Sequence, residues 1–183
     1  MNENDHGLEN QPTVLVTGAA GSLGLHLLRA LSLSGWKIRA WDKVLPTDEA
    51  RASLIADLPG IEWIEASDGD DLEALARGCQ ALVHAAGLVS LSQSAEDLMR
   101  ANLELSRELF AAAQAAKVEH FVHISCAMIY LGEGGVRTET SPVAASNAFE
   151  RSKLATEHAL TRAAEEKGAP ALTILRPGLL YGP

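Results

Sequence analysis

TVLVTGAAGSLG, residues 13–24, sets a β-branched run directly against three glycines, Gly18, Gly21 and Gly24. Thr13 to Thr17 has the composition of a buried strand. Ser22 to Leu33 reads as a helix, so the glycines stand at a strand-to-helix turn. Each glycine meets a physical need there. Gly18 permits the tight turn, Gly21 lets backbone amides approach a pyrophosphate, and Gly24 lets the helix pack against the strand. The start of the helix, around Ala20, Ser22 and Leu23, adds amide donors and a favourable dipole for a bound anion. A glycine-rich turn without a ligand is the plain alternative.

Working outward, apolar runs alternate with helical stretches. Strands are expected over Lys37 to Trp41 ending at Asp42, Ile61 to Ala66, Ala81 to Ala85, His120 to Ser125 and Leu172 to Leu175. Between them, helices are expected over Thr47 to Leu58, Asp70 to Arg77, Ser94 to Lys117 and Ser146 to Lys167. Ser94 and Asp97 stand at capping spacing. Such alternation implies an α/β fold, a parallel sheet with helices on both faces. Right-handed crossovers then favour a Rossmann-type, doubly wound sheet of order 3-2-1-4-5-6. Asp42 lies 24 residues after Gly18. A carboxylate there accepts hydrogen bonds from both adenosine ribose hydroxyls and repels a 2′-phosphate, so NAD is expected over NADP. Lys43 beside it tempers that preference.

Composition narrows the function classes. The 183-residue chain is 47% hydrophobic and 21% charged, which fits one globular domain. Residues 1–11 are expected to be a flexible leader and residues 12–183 the nucleotide-binding domain. A net charge of -9 argues against nucleic-acid binding. No apolar run reaches membrane-spanning length. Cys79 and Cys126 are too few for a disulfide framework, and a reducing, cytoplasmic setting is the expectation. The six histidines show no metal-ligand spacing, although His84 and His123 lie near strand ends where they could approach each other.

The glycine loop, Asp42, Asp68, the His84-Ala85-Ala86-Gly87 strand end, Asn102, Ser125, Lys153 and Arg176-Pro177 follow one another in a familiar order. Together they resemble the extended short-chain dehydrogenases, the NAD-dependent epimerase/dehydratase group, over about Thr13 to Pro183. The resemblance implies that Asp68 contacts the adenine amino group. It implies that Ala85, Ala86 and Gly87 pass beneath the ribose and phosphates. It places Asn102 in the long central helix near the active site and has Lys153 hydrogen-bond the nicotinamide ribose. It also implies hydride transfer at a hydroxyl or carbonyl carbon of a sugar nucleotide or a sterol-like alcohol.

Two positions depart from that pattern. The family's catalytic tyrosine precedes the lysine by four residues; here that position is Phe149. Its catalytic Ser or Thr stands four residues before Tyr130; here that position is Cys126, with Ser125 one residue away. Phe cannot exchange a proton, and losing a general acid/base costs on the order of 10²–10⁴ in rate. A thiol is a weak hydrogen-bond partner. An impaired oxidoreductase, a non-enzymatic dinucleotide-binding module and a deliberate tyrosine-to-phenylalanine change all remain open. The resemblance also implies a substrate-binding portion beyond Pro183, so the pocket is expected to be open on one side. This fits a gene fragment, a trimmed chain or a protein completed by a partner. Apolar surface near Leu179, Leu180 and Tyr181 is expected to promote self-association.

Overall fold

A computed structural model of the chain describes residues 11–46, 52–130 and 135–181. Six strands form one sheet: β1 (Thr13–Thr17), β2 (Lys37–Asp42), β3 (Ile61–Glu65), β4 (Ala81–His84), β5 (His120–Ile124) and β6 (Ala171–Leu175). Their order is β3-β2-β1-β4-β5-β6 and every pairing is parallel. The order matches the expected doubly wound arrangement. The reversal falls at β1, whose neighbours β2 and β4 leave it in opposite directions across the sheet. A crevice at that switch point is where such sheets bind ligands.

Burial follows position in the sheet. In β1, Val14, Leu15 and Val16 are all buried, because helices cover both faces. The edge strand β6 alternates exposed and half-buried residues instead. Two apolar cores result. One gathers Leu15, Leu82, Phe121, Leu109, Phe110 and Leu160; the other gathers Val14, Val16, Leu25, Leu28, Ile38 and Val83. Residues i and i+2 of each strand serve one core, and i+1 serves the other.

The α-helices bounded within the described residues are α1 (Ser22–Leu33), α2 (Leu72–Ala76), α3 (Ala95–Met99), α4 (Leu105–Ala115) and α5 (Ala148–Ala163). Side-chain caps place several starts. Asp71, Ser94 and Asn147 accept from the amides of Ala74, Asp97 and Glu150 at the first turns of α2, α3 and α5. Helix α1 begins at Ser22 after Gly21, with no side-chain cap.

The structure corrects two helices. The single helix expected over Ser94 to Lys117 is interrupted by a π-helical turn, Arg100–Glu104. Two side chains hold it there. Ser106 donates to the carbonyl of Asn102 at 2.5 Å, and the Asn102 amide pairs with the backbone of Leu88. Such insertions into the helical ladder cause local changes of pitch. The helix expected from Ser146 begins at Ala148, because Asn147 caps it. The expected helix over Thr47 to Leu58 lies partly outside the described residues, with residues 52–53 helical and 54–57 in turns. The expected leader lies outside them except for Gln11. Leu179 and Tyr181 are 90% and 94% exposed, as expected of that segment. Among the described residues no helix is long and apolar enough to cross a membrane.

Candidate functional site

The glycine loop is pinned between β2 and β4. The Gly18 amide donates to the Trp41 carbonyl at 3.1 Å, and the Gly21 amide donates to the Gly18 carbonyl at 3.1 Å. Gly18 has φ +70°, and a Cβ there would lie 2.5 Å from the Ala86 nitrogen. Only glycine fits both constraints. At Gly24 a Cβ would strike the carbonyl oxygens of Gly18 and Ala19, so helix and loop touch backbone to backbone. Gly21 is less confined; a Cβ there meets only the Gly18 oxygen, at 3.2 Å. Ser22 is exposed and Leu23 half-buried at the start of α1.

Asp42 ends β2 and reaches back to this loop. Its Oδ2 accepts from the Ala20 amide at 2.9 Å, which holds the carboxylate beside the cleft. Gly18, Gly21, Asp42, Lys43, Ala85, Ala86 and Gly87 border one cleft of about 460 Å³. A second cavity of about 590 Å³ adjoins it, sharing Trp41, Lys43 and Leu88, and contains Asp68 and Arg100. Asp70 stiffens that wall. Its carboxylate accepts from the Ser67 hydroxyl and amide and from Trp41 Nε1, which hold it below its ordinary range.

The second half of the site lies at the other end of the 85–88 segment. A Cβ on Gly87 would lie 3.0 Å from Asn102 Oδ1 and 3.4 Å from Lys153 Nζ. Asn102 and Lys153 therefore close in on the backbone of Gly87, where a side chain would crowd both. Lys153 is buried, and its Nζ donates to the Ile124 carbonyl at 2.9 Å. Burial pushes its ammonium below the ordinary lysine range. Phe149, one turn earlier on α5, is 4% exposed and belongs to neither apolar core. Cys126 is half-buried, and burial pushes its thiol up, which keeps it protonated and a poor nucleophile. Ser125 is buried, with its hydroxyl free of any partner among the described residues.

The structure thus gathers the loop, Asp42, Lys43 and Ala85 to Gly87 into one cleft, and joins Gly87 to Asn102 and Lys153. Asp68 sits in the adjoining cavity. Arg176 has a structural place: its guanidinium grips Glu157 in a fork, at 3.0 and 2.7 Å, and donates to the Tyr130 hydroxyl. Among the described residues no cluster of three metal-ligating side chains occurs. Sequence reasoning placed His84 at a strand end near His123 but not its hydrogen-bond partners, and it missed Ser106 and Ser152. His84 accepts or donates at both ring nitrogens, to Thr17 and Ser106, and Ser152 takes a hydrogen bond from the Asn102 amide. His84 lies beside Thr17 in the sheet register, a pairing set by the fold rather than by neighbours in sequence.

A switch-point cleft walled by a glycine loop and a strand-end carboxylate defines a Rossmann-type nucleotide-binding fold. Residues 14–183 match the profile of the NAD dependent epimerase/dehydratase family, and the chain belongs to that family. It is 32% identical over 181 residues to sterol demethylase protein B of Methylococcus capsulatus, covering 93% of this chain and 52% of that protein. It is 33% identical over 175 residues to ceramide reductase of Caulobacter vibrioides, covering 93% of this chain and 47% of that protein. The chain therefore spans about half the length of these relatives. Among solved structures, UDP-glucuronic acid 4-epimerase from Bacillus cereus in complex with NAD superposes with a TM-score of 0.82 at 25% identity. The match covers 93% of this chain and 58% of that one.

Proposed function

We propose that this chain holds NAD(H) in the switch-point cleft but lacks the groups for the family's ordinary proton transfer. Gly18 and Gly21 would admit the pyrophosphate, Asp42 the adenosine ribose, and Lys153 with Asn102 the nicotinamide end. The fit rests on the cleft of about 460 Å³ bordered by Gly18, Gly21, Asp42 and Ala85 to Gly87, which stands at the switch point. NAD supplies hydride acceptance or donation at its nicotinamide ring. The chain's own residues must move the accompanying proton, and the two positions that would do so hold Phe149 and Cys126 instead.

One observation carries the reading. Phe149 is buried one helical turn from Lys153, where a phenol would have to stand, and its ring has no exchangeable proton. The neighbouring thiol stays protonated and supplies only a weak hydrogen bond to a developing oxyanion. The substrate class that best fits the relatives is a secondary alcohol or ketone on a sugar nucleotide or a sterol-like body. Turnover of such substrates is expected to be weak or absent.

The test pairs binding with restoration. Titration of the chain with NADH, followed by nicotinamide fluorescence, is expected to show saturable binding with negligible turnover. Phe149→Tyr with Cys126→Ser, in the chain with any downstream region restored, is expected to raise turnover by about 10²-fold or more. The two groups act on one oxygen, so their effects should be non-additive. Strong turnover by the unaltered chain that Lys153→Ala leaves unchanged overturns the placement of the site.

A further inference from the structure

A set of buried side chains behind the cleft forms two directed runs of hydrogen bonds that meet at Asn102. Ser106 Oγ lies 2.5 Å from the Asn102 carbonyl, which can only accept. That contact uses the single Ser106 proton. The 2.8 Å contact between Ser106 Oγ and His84 Nε2 must then be donated by the ring. A neutral imidazole with a proton on Nε2 has a bare Nδ1, so Nδ1 accepts from Thr17 Oγ1 at 2.7 Å. Thr17 Oγ1 keeps a lone pair for the Ala86 amide, 3.4 Å away.

The second run leaves from Asn102. Its Oδ1 accepts from the Leu88 amide at 2.8 Å, and its Nδ2 donates to the Leu88 carbonyl at 3.1 Å and to Ser152 Oγ at 2.8 Å. Ser152 donates in turn to the Phe149 carbonyl at 2.7 Å. Two runs of donors therefore meet at Asn102 in the π-helical turn: one from Ala86 through Thr17, His84 and Ser106 to its carbonyl, the other from its side-chain amide through Ser152 to the Phe149 carbonyl in α5. His84 is the centre of the first and is fully buried. Burial first, then His123 and Lys153 nearby, holds the ring well below the ordinary histidine range, so it is neutral.

We propose that His84, as the neutral Nε2–H tautomer, is a positioning residue that fixes the Thr17–Gly18 and 85–88 walls of the cleft to the turn carrying Asn102. It touches no cofactor; it acts through Thr17, Ala86 and Asn102. His123 provides the contrast. Its ring lies 5.5 Å from that of His84 on the same side of the sheet, yet neither of its nitrogens has a partner among the described residues. A ring that only packs is replaceable by Phe, and His84 is not such a ring. The inference rests on the NAD reading above.

The experiment measures NAD(H) dissociation constants for the chain and its variants, with thermal unfolding alongside to confirm folding. His84→Phe is expected to weaken binding roughly tenfold, the loss of about one linked hydrogen-bond pair. His84→Gln, which can still donate to Ser106, should recover part of that loss. His123→Phe should change affinity by less than about twofold, as expected for a site outside the network. Thr17→Val and Ser106→Ala should each weaken binding, and the double variant should be little worse than either one. Nitrogen-15 NMR of the unaltered chain should show His84 Nε2 protonated and Nδ1 bare. NAD binding that His84→Phe leaves unchanged overturns the role. An Nδ1–H tautomer, an imidazolium, or a fully multiplicative Thr17–Ser106 pair also overturns it. If His84→Phe does not fold, His84→Gln, the double variant and the tautomer decide the outcome. No NAD binding by the unaltered chain overturns the cofactor reading, and this role with it.

Discussion

At the scale of single residues, Asp42 has two tasks that a substitution can separate. Its Oδ2 accepts from the Ala20 amide and so shapes the glycine loop, while in the proposed NAD site its charge would repel a 2′-phosphate. Asp42→Asn keeps an oxygen for Ala20 and removes the charge. NADP(H) binding is expected to improve roughly tenfold relative to NAD(H), because one like-charge contact disappears. Parallel titrations with both dinucleotides check this, and an unchanged ratio would show that Asp42 does not face the ribose. Lys153 could be placed from sequence, because its spacing of four from Phe149 is a local property of a helix. His84 could not be given its role. Its partners Thr17 and Ser106 lie 67 and 22 residues away along the chain, and only the sheet register and helix packing bring them together.

At the scale of elements, the start of α5 governs how Phe149 and Lys153 are presented. Asn147 Oδ1 accepts from the Glu150 amide at 2.9 Å, and the Glu150 carboxylate takes the Ser146 amide and hydroxyl and the Asn147 side-chain amide. Burial would raise the Glu150 carboxyl, but these donors outweigh it and hold the group below its ordinary range. Asn147→Ala is expected to destabilise the protein by about 1 kcal/mol, read as a lower unfolding midpoint in urea. The strands could be placed from sequence to within a residue or two, since β-branched runs between glycines and prolines carry their own signal. The π-helical break after Met99 could not. Nothing in RANLE favours a π turn locally; the turn exists because Asn102 is tied to Leu88 and Ser106 to His84.

At the scale of the whole molecule, two neutral imidazoles lie under one face of the sheet, and this sets the response to acid. Burial first, then Lys153, lowers His123 to about 3, and His84 is lowered in the same direction. Above pH 6.5 the rings are neutral in folded and unfolded chains alike, and the native state keeps its full stability. Below 6.5 the unfolded chain binds protons that the native rings refuse. Stability then falls by about 1.4 kcal/mol per pH unit for each ring, and for His123 the loss ends near pH 3. Urea midpoints between pH 7 and 4 should show this fall, and His123→Phe should make it shallower. An unchanged slope in that variant would mean that His123 is protonated in the native state. The position of β1 has a different consequence. It is the seam of the molecule: β2 pairs on one side, β4 on the other, and the glycine loop leaves from its end. Its amides can meet solvent only when the two halves of the sheet part, which is the opening of the whole domain. A dinucleotide lying across that seam would be lost in the same event. Proton exchange at Val14, Leu15 and Val16 would then slow in proportion to the excess of ligand over its dissociation constant, which makes those buried amides reporters of occupancy in the cleft above them.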